Sequence, residues 1–310
     1  MPDLISAFIP LGCLIVLGFV LGRFATLDLK SVAALAIFGF TPIVGFGAAA
    51  QLEFTPQLLL LPAMTFICAS FVGVAAFVAG RLFLKDETQA YLLPIACGSG
   101  NTGYFGLPVA LALFGEKIAG LYLLMNLGVT VFETTLGYFF MARGAMTGGE
   151  AVKRVLKLPL LYALLLGLVV AASGLILPAP LIKLWELSKG AYVCIGMMII
   201  GIALSPKKSI AFRPRLFTLG LTGKFLLWPA LAIGLSLLDA QYLQLFGSDV
   251  HNCLVLLSIA PMAANLAAYA AHNDLRVDLA ATLILLTTGI AVIGLPFLVP
   301  LFVTWGWLTV

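Results

Sequence analysis

Charged residues are rare in this chain: Asp, Glu, Lys and Arg make up only 10% of its 310 residues, against about a quarter in a typical soluble domain. Hydrophobic residues make up 62%, and the mean hydropathy is +1.14. This composition excludes an ordinary soluble domain and indicates an integral membrane protein. Short alternating strands are also absent, which excludes a transmembrane barrel and favours helical spans of about 20 apolar residues.

Several chemical motifs are missing as well. The five cysteines all lie in apolar segments and form no Cys-x-x-Cys pair, so neither a disulfide framework nor a zinc site is indicated. The chain has no GxxxxGK[ST] motif, which argues against ATP coupling within it. It also lacks HExxH, paired midplane aspartates and a central Ser/His arrangement, which argues against an intramembrane enzyme. We therefore expect no enzymatic activity and no cofactor.

Long apolar stretches separated by short polar breaks predict ten membrane spans. The first is too long for a signal-peptide core and follows Asp3 rather than a basic leader, so we expect it to be retained. The last is long enough to tilt or to kink at Pro296. The predicted ranges are 4–24, 30–50, 57–83, 90–113, 118–142, 158–178, 184–205, 215–238, 253–272 and 279–308.

Basic residues outside these spans are distributed unequally between the two faces. Ten spans place both termini on one side, which puts thirteen lysines and arginines on one face and only Lys117, Lys183 and Lys189 on the other. The positive-inside rule then predicts that the basic face is cytoplasmic, that both termini are outside, and that the chain lies in the cytoplasmic membrane. Because these charges set topology, the net charge of +4 does not indicate nucleic acid as a partner.

The longest polar connection divides the chain into two groups of five spans. It covers residues 143–157, between a first repeat at 1–142 and a second at 158–310. An odd number of spans per half makes the second half enter the membrane in the opposite orientation. The predicted fold is therefore an all-α bundle of ten helices in two inverted repeats, an arrangement common in secondary transporters.

The fourth span contains GSGNTGYFGLP, residues 98–108, in which four glycines and Pro108 disfavour a continuous helix. Irregular backbone inside a membrane is tolerated only where protein or a water-filled cavity satisfies its polar groups. Asn101 lies roughly 16 Å along this span, near the centre of a hydrocarbon layer of about 30 Å. Its amide is therefore predicted at the membrane midplane.

The ninth span carries a matching interruption. In CLVLLSIAPMAANLAAYAAH, Pro261 is the breaker and Asn265 lies roughly 18 Å along the helix. Paired interruptions in two halves point to a transporter's binding site, because helix N-termini direct partial positive charge at an anion. The alternative is that glycine and proline are ordinary in membrane helices and that asparagine only joins helices.

The segments GNTGYFGLPVALALFG and APMAAN resemble the auxin efflux carrier family, in the short-loop form of its bacterial malonate-type members. The resemblance implies a fold similar to that of NhaA and the bile-acid transporters, with the fourth and ninth helices crossing at their breaks and elevator-like alternating access. It implies a small organic acid anion as substrate. Carried over, the substrate site would be Gly100, Asn101, Thr102, Gly103 and Asn265, with Pro108 and Pro261 as crossover breakers. Family members can also be homodimers.

Two ionisable residues fall at similar depth inside predicted spans. Glu133 lies in the fifth and Lys224 in the eighth, and such groups commonly mark ion or substrate pathways. The pair could hold a coupling proton or compensate the charge of the substrate. Alternatively, Lys224 could extend to the membrane interface. Asn126 and Thr130 form a polar stripe on the fifth span, which could line the substrate path or bond a neighbouring helix.

Three functions remain open after these observations. We expect a secondary transporter of a small mono- or dicarboxylate, malonate-like or auxin-like, driven by protons or by the membrane potential. A sodium symporter of the bile-acid type is the alternative, although midplane carboxylates to hold sodium are scarce. Broken helices also line channels, which saturable counterflow would distinguish from a carrier.

Overall fold

A computed structural model describes residues 2–25, 27, 29–142, 147–157, 159–203, 212–273 and 275–307. Within these ranges all regular secondary structure is helical, as the composition predicts. Arg143, Lys207 and Lys208, which belong to the predicted basic face, lie outside the described residues.

Helical segments cover the five ranges predicted before residue 143. They are α1 Pro2–Phe24, α2 Leu29–Ala34, a π-helical turn Leu35–Phe40, α3 Thr41–Ala50, a 3-10 turn Pro56–Leu59, α4 Leu60–Phe83, α5 Glu87–Ala90, α6 Leu93–Gly98, a π-helical turn Thr102–Gly106, α7 Leu107–Phe114, α8 Glu116–Phe132, a π-helical turn Glu133–Gly137 and α9 Tyr138–Met141.

The remainder of the chain follows the same pattern. Its elements are α10 Gly148–Leu156, α11 Pro159–Ser173, α12 Ala179–Ala203, α13 Pro214–Thr222, a π-helical turn Gly223–Leu227, α14 Trp228–Leu238, a π-helical turn Asp239–Leu243, α15 Ser248–Ile259, α16 Asn265–His272 and α17 Val277–Thr304.

Five helical stretches are long and apolar enough to cross a membrane in the described part of the chain: 56–83, 118–141, 179–202, 214–243 and 277–304. Four shorter apolar helices accompany them. The stretch 118–141, which is mainly α8, has 78% of its most apolar window buried, against 33–44% for the other four. This helix therefore forms the centre of the protein, and the others expose their apolar faces to lipid.

Some helices in the structure end at other residues than the predicted spans do. The sixth segment ends at Ser173 rather than 178, because Gly174 adopts a φ of +68°, the left-handed conformation that terminates helices. The seventh begins at Ala179 rather than 184, and the eighth continues through a π-helical turn to Leu243. The last helix runs through Pro296 as one element from Val277 to Thr304.

Helices from the two halves of the chain pack directly against each other. Helix α1 lies along α12, and α3 lies along α11. The first pair approaches closely because Gly18 faces the backbone of Met198 and Gly201 faces the backbone of Ile15. Small residues at such contacts let backbones approach within van der Waals distance, which drives association of helices in lipid.

Candidate functional site

The fourth predicted span is broken where its glycines indicated. Helix α6 ends at Gly98, residues 99–101 are not helical, and a π-helical turn starts at Thr102. We call residues 99–101 the first break. Pro108 lies beyond it, in the first turn of α7, where a missing N–H is least disruptive. The irregular backbone therefore precedes Pro108 and is associated with the glycines instead.

Side chains of the eighth segment satisfy the carbonyls at the end of α6. Trp228 Nε1 donates to the Gly98 carbonyl at 3.2 Å, and Lys224 Nζ donates to the Ser99 carbonyl at 2.8 Å. An ammonium at a helix C-terminus also interacts favourably with the helix dipole. Lys224 is completely buried, so it does not extend to the membrane interface.

The ninth predicted span is broken at its proline. Helix α15 ends at Ile259 and α16 begins at Asn265, and we call residues 260–264 the second break. The backbone N–H of Met262 donates to Thr287 Oγ1 on α17 at 3.2 Å. The Pro261 carbonyl accepts the backbone N–H of Asn101 at 2.7 Å. The two breaks are therefore in direct contact, each satisfying a polar group of the other.

A cavity of about 210 Å³ lies beside this contact. All five residues that the family resemblance places at the substrate site line it, and so does Glu133, whereas Pro108, Pro261 and Lys224 do not. The remaining lining residues are Thr41, Tyr104, Asn126, Thr130, Thr134, Pro159, Leu160, Tyr192, Ala263, Ala264 and Tyr269.

The two asparagines differ in their environment. Asn101 is 7% exposed, and its side-chain amide has no hydrogen-bond partner among the described residues, although it lines the cavity. Asn265 is exposed, and its Nδ2 donates to Glu133 Oε1 at 2.8 Å. A buried amide without a partner is unusual in proteins, so the Asn101 amide is available to a molecule in the cavity.

Glu133 and Lys224 meet at one residue that the sequence did not single out, Ser99. Its hydroxyl donates to Glu133 Oε2, and its carbonyl accepts from Lys224 Nζ. Glu133 and Lys224 form no ion pair with each other, because their nearest charged atoms are more than 4 Å apart. The predicted pair is thus joined through Ser99 rather than by direct contact.

The polar stripe on α8 lines the cavity and also makes hydrogen bonds to the π-helical turn of the first break and within the helix. Asn126 Oδ1 accepts from Thr102 Oγ1, and Thr130 Oγ1 donates to the Asn126 carbonyl at 3.0 Å. Tyr122, one turn earlier, donates its hydroxyl to the Thr102 carbonyl at 3.1 Å. These bonds attach the π-helical turn of the first break to α8, while Asn126 and Thr130 still line the cavity.

Sequence reasoning missed Ser99 and the two cavity residues Tyr192 and Thr41. Their only signal was a polar or aromatic side chain in an apolar span. Hydropathy gives the depth of such a residue but not the direction in which it points.

The comparisons with known proteins agree with this architecture. A family model described as "Membrane transport protein" matches residues 3–149. An uncharacterized transporter of Methanocaldococcus jannaschii is 29% identical over 258 residues, which cover 81% of this chain and 79% of the relative. An uncharacterized transporter of Methanothermobacter thermautotrophicus is 28% identical over 250 residues, 80% of each chain. These matches to membrane transport proteins agree with the resemblance of the two broken spans to the auxin efflux carrier family.

Proposed function

We propose that this protein is a secondary active transporter of a small organic acid anion, which binds between the two breaks and crosses the membrane by alternating access. The observation that carries the proposal is the cavity beside the Asn101–Pro261 contact, with the unpartnered Asn101 amide on one side and Asn265 on the other. Amide N–H groups donate to carboxylates without bringing a competing negative charge.

The positive charge for an anion comes from backbone rather than from side chains. No lysine or arginine lines the cavity in the described part of the chain. Two helical segments begin at its edge, one at Thr102 and one at Asn265, and the first turn of a helix carries partial positive charge. An environment of this kind favours a singly charged carboxylate over a highly charged ligand.

The size of the cavity supports a small acid. A cavity of about 150 Å³ holds benzene, with about six heavy atoms, and the same ratio gives about eight heavy atoms for 210 Å³. Acids from lactate to malate, with about six to nine heavy atoms, match this volume, whereas indole-3-acetate, with about thirteen, exceeds it. We therefore favour malonate-like over auxin-like substrates.

The packing of the two halves supports inverted repeats with crossing breaks. If the first five predicted spans are equivalent to the last five, then exchanging the halves converts the α1–α12 pair into the α11–α3 pair, and both pairs pack closely. The two breaks, equivalent under the same exchange, touch each other. Movement of the elements around the breaks against the paired helices would give elevator-like access.

Access in this conformation is from the face predicted to be cytoplasmic. Thr134, Pro159 and Tyr269, which are close in sequence to the 143–157 connection or to Arg276, line the cavity and are only half-buried. Deeper residues such as Asn101 and Tyr192 are buried. The cavity thus corresponds to an inward-facing state, with the termini on the opposite side of the membrane.

Transport by the purified protein in proteoliposomes tests this function. Lactate, malonate, succinate, malate and indole-3-acetate are each offered as labelled compounds, with sodium or choline outside and with or without a pH gradient. We expect saturable counterflow of at least one acid of about six to nine heavy atoms, without a sodium requirement. Sodium-dependent uptake would favour the bile-acid type of symporter, and non-saturable flux would indicate a channel.

A further inference from the structure

The carboxylate of Glu133 accepts a hydrogen bond from the Asn265 side-chain amide. The proposed function assigns this same amide to the carboxylate of the substrate. Asn265 Nδ2 donates to Glu133 Oε1 at 2.8 Å, and Ser99 Oγ donates to the other oxygen. Both partners of this carboxylate are neutral, and it lines the same cavity as Asn101. The site therefore already holds a carboxylate, supplied by the protein itself.

We propose that Glu133 is a tethered carboxylate that a substrate carboxylate displaces from Asn265, and that Glu133 takes up one proton as it is displaced. This inference rests on the proposed function, because it requires an acid to bind in this cavity. The proton comes from water on the side to which the cavity opens, and it binds one carboxylate oxygen of Glu133. One monoanion and one proton then cross together, with no net charge moved.

Electrostatic repulsion between Glu133 and the substrate carboxylate is the reason that binding requires a proton. Two ionised carboxylates in a poorly solvated cavity repel each other strongly, and paired carboxyl groups avoid this by holding one proton between them. Glu133 is 6% exposed, so water does not screen its charge effectively. Once protonated, its carboxyl is a weaker acceptor for the Asn265 amide than an ionised substrate carboxylate, and it has an O–H of its own to donate.

The surroundings of Glu133 offer no cation that would take the place of this proton. Lys224 is engaged with the Ser99 carbonyl and forms no ion pair with Glu133. The other titratable side chains that line the cavity are the phenols of Tyr104, Tyr192 and Tyr269, and a phenol carries no positive charge in either of its protonation states. Helix α10 adds Glu150 and Lys153, both exposed to solvent.

The mechanism selects its substrate by charge. A monocarboxylate, or a dicarboxylate in its singly charged form, enters with one proton and leaves the charge of the cavity unchanged. A fully ionised dicarboxylate would leave one negative charge uncompensated. Transport is then driven by the pH gradient and not by the membrane potential.

Calorimetry of the full-length protein in detergent tests the inference. Lactate, malonate, succinate and malate are titrated into the protein between pH 6 and pH 8, in two buffers of different ionisation enthalpy, which gives the protons taken up per acid bound. If Glu133 is ionised before the acid binds, as the proposal requires, the wild type takes up about one proton per lactate, a monoanion throughout this range, and about one more per dicarboxylate, and its affinity for lactate falls about tenfold per pH unit. Glu133→Gln should take up one proton fewer than the wild type with the same acid, so that it binds lactate with no proton uptake and no such pH dependence, and Glu150→Gln on α10 should behave as the wild type.

The outcomes separate the two proposals. If none of the four acids binds the wild type, the proposed function fails. If an acid binds the wild type with no proton uptake and a pH-independent affinity, the proposed function stands and the role of Glu133 is refuted. The same holds if Glu133→Gln takes up as many protons as the wild type with the same acid. Because the proton count is read from the wild type, the test stands even if the variant does not fold.

Discussion

Gly100 lies against both Lys224 and the second break, and replacing it with alanine tests how the site is assembled. A Cβ at this position would lie 2.9 Å from Lys224 Nζ and 3.3 Å from the Pro261 carbonyl oxygen. Gly100 does not adopt a positive φ, so alanine introduces no backbone strain and acts only through these contacts.

The expected magnitude follows from the atoms that must move. Lys224 Nζ would have to retreat by about half an ångström to reach ordinary van der Waals contact. This movement lengthens its 2.8 Å bond to the Ser99 carbonyl, and a hydrogen bond to a charged group contributes about 1.5–3 kcal/mol. Overpacking of this kind usually destabilises by about 1–3 kcal/mol. If the binding-competent state bears the whole loss, affinity for the acid falls by about 5- to 140-fold.

Thermal unfolding in detergent without substrate, followed by calorimetry with the best-bound acid, measures both effects. The control is Gly234→Ala on α14, where an added Cβ meets nothing within 4 Å. We expect Gly100→Ala to lower the unfolding temperature and the affinity, and Gly234→Ala to change neither appreciably. In the Lys224→Met background, Gly100→Ala should cost less than it does in the wild type, since the clashing atom is gone. Equal behaviour of the two alanine variants would refute the proposed packing.

Three further substitutions probe separate parts of the structure. Lys224→Met should lower the unfolding temperature without substrate, because the Ser99 carbonyl loses its donor at a loss of about 1–3 kcal/mol; an unchanged melt would contradict its capping role. Tyr122→Phe removes the 3.1 Å bond to the Thr102 carbonyl and should weaken acid affinity about fivefold by calorimetry, for a loss of about 1 kcal/mol. The Asp239 carboxylate accepts the backbone N–H groups of Leu245 and Phe246 in the adjoining loop. Asp239→Asn weakens these bonds and should therefore speed hydrogen exchange of the two amides, while acid counterflow stays normal.

The breaks themselves could be predicted from the sequence, because their causes are local. Glycines at 98 and 100 and the proline at 261 disfavour a continuous helix, and counting residues predicted both asparagines at mid-membrane. The contact between the breaks was expected only from the family resemblance. Nothing in the spacing of either segment indicates which backbone group meets which.

The details of the site depend on helix rotation, which the sequence of a uniformly apolar span does not encode. Glu133 reaches Ser99 and Asn265 from a π-helical turn, and such turns shift the direction of the side chains that follow them. Equal depth therefore predicted a pair of Glu133 and Lys224, whereas the structure joins them through Ser99. The connection at 143–157 also contains a helix, α10, which the polar composition of that segment concealed.

The most direct test of the central claim is counterflow of the best-transported acid by Asn101→Ala and Asn265→Ala in proteoliposomes. Asn273→Ala is the control, because this residue lies at the end of α16 outside the cavity and bonds only the Tyr269 carbonyl. Loss of one amide bond to a carboxylate predicts a decrease of about 10- to 140-fold for each cavity variant, with correct folding and a normal control. Wild-type counterflow in either cavity variant would contradict a binding site between the two breaks.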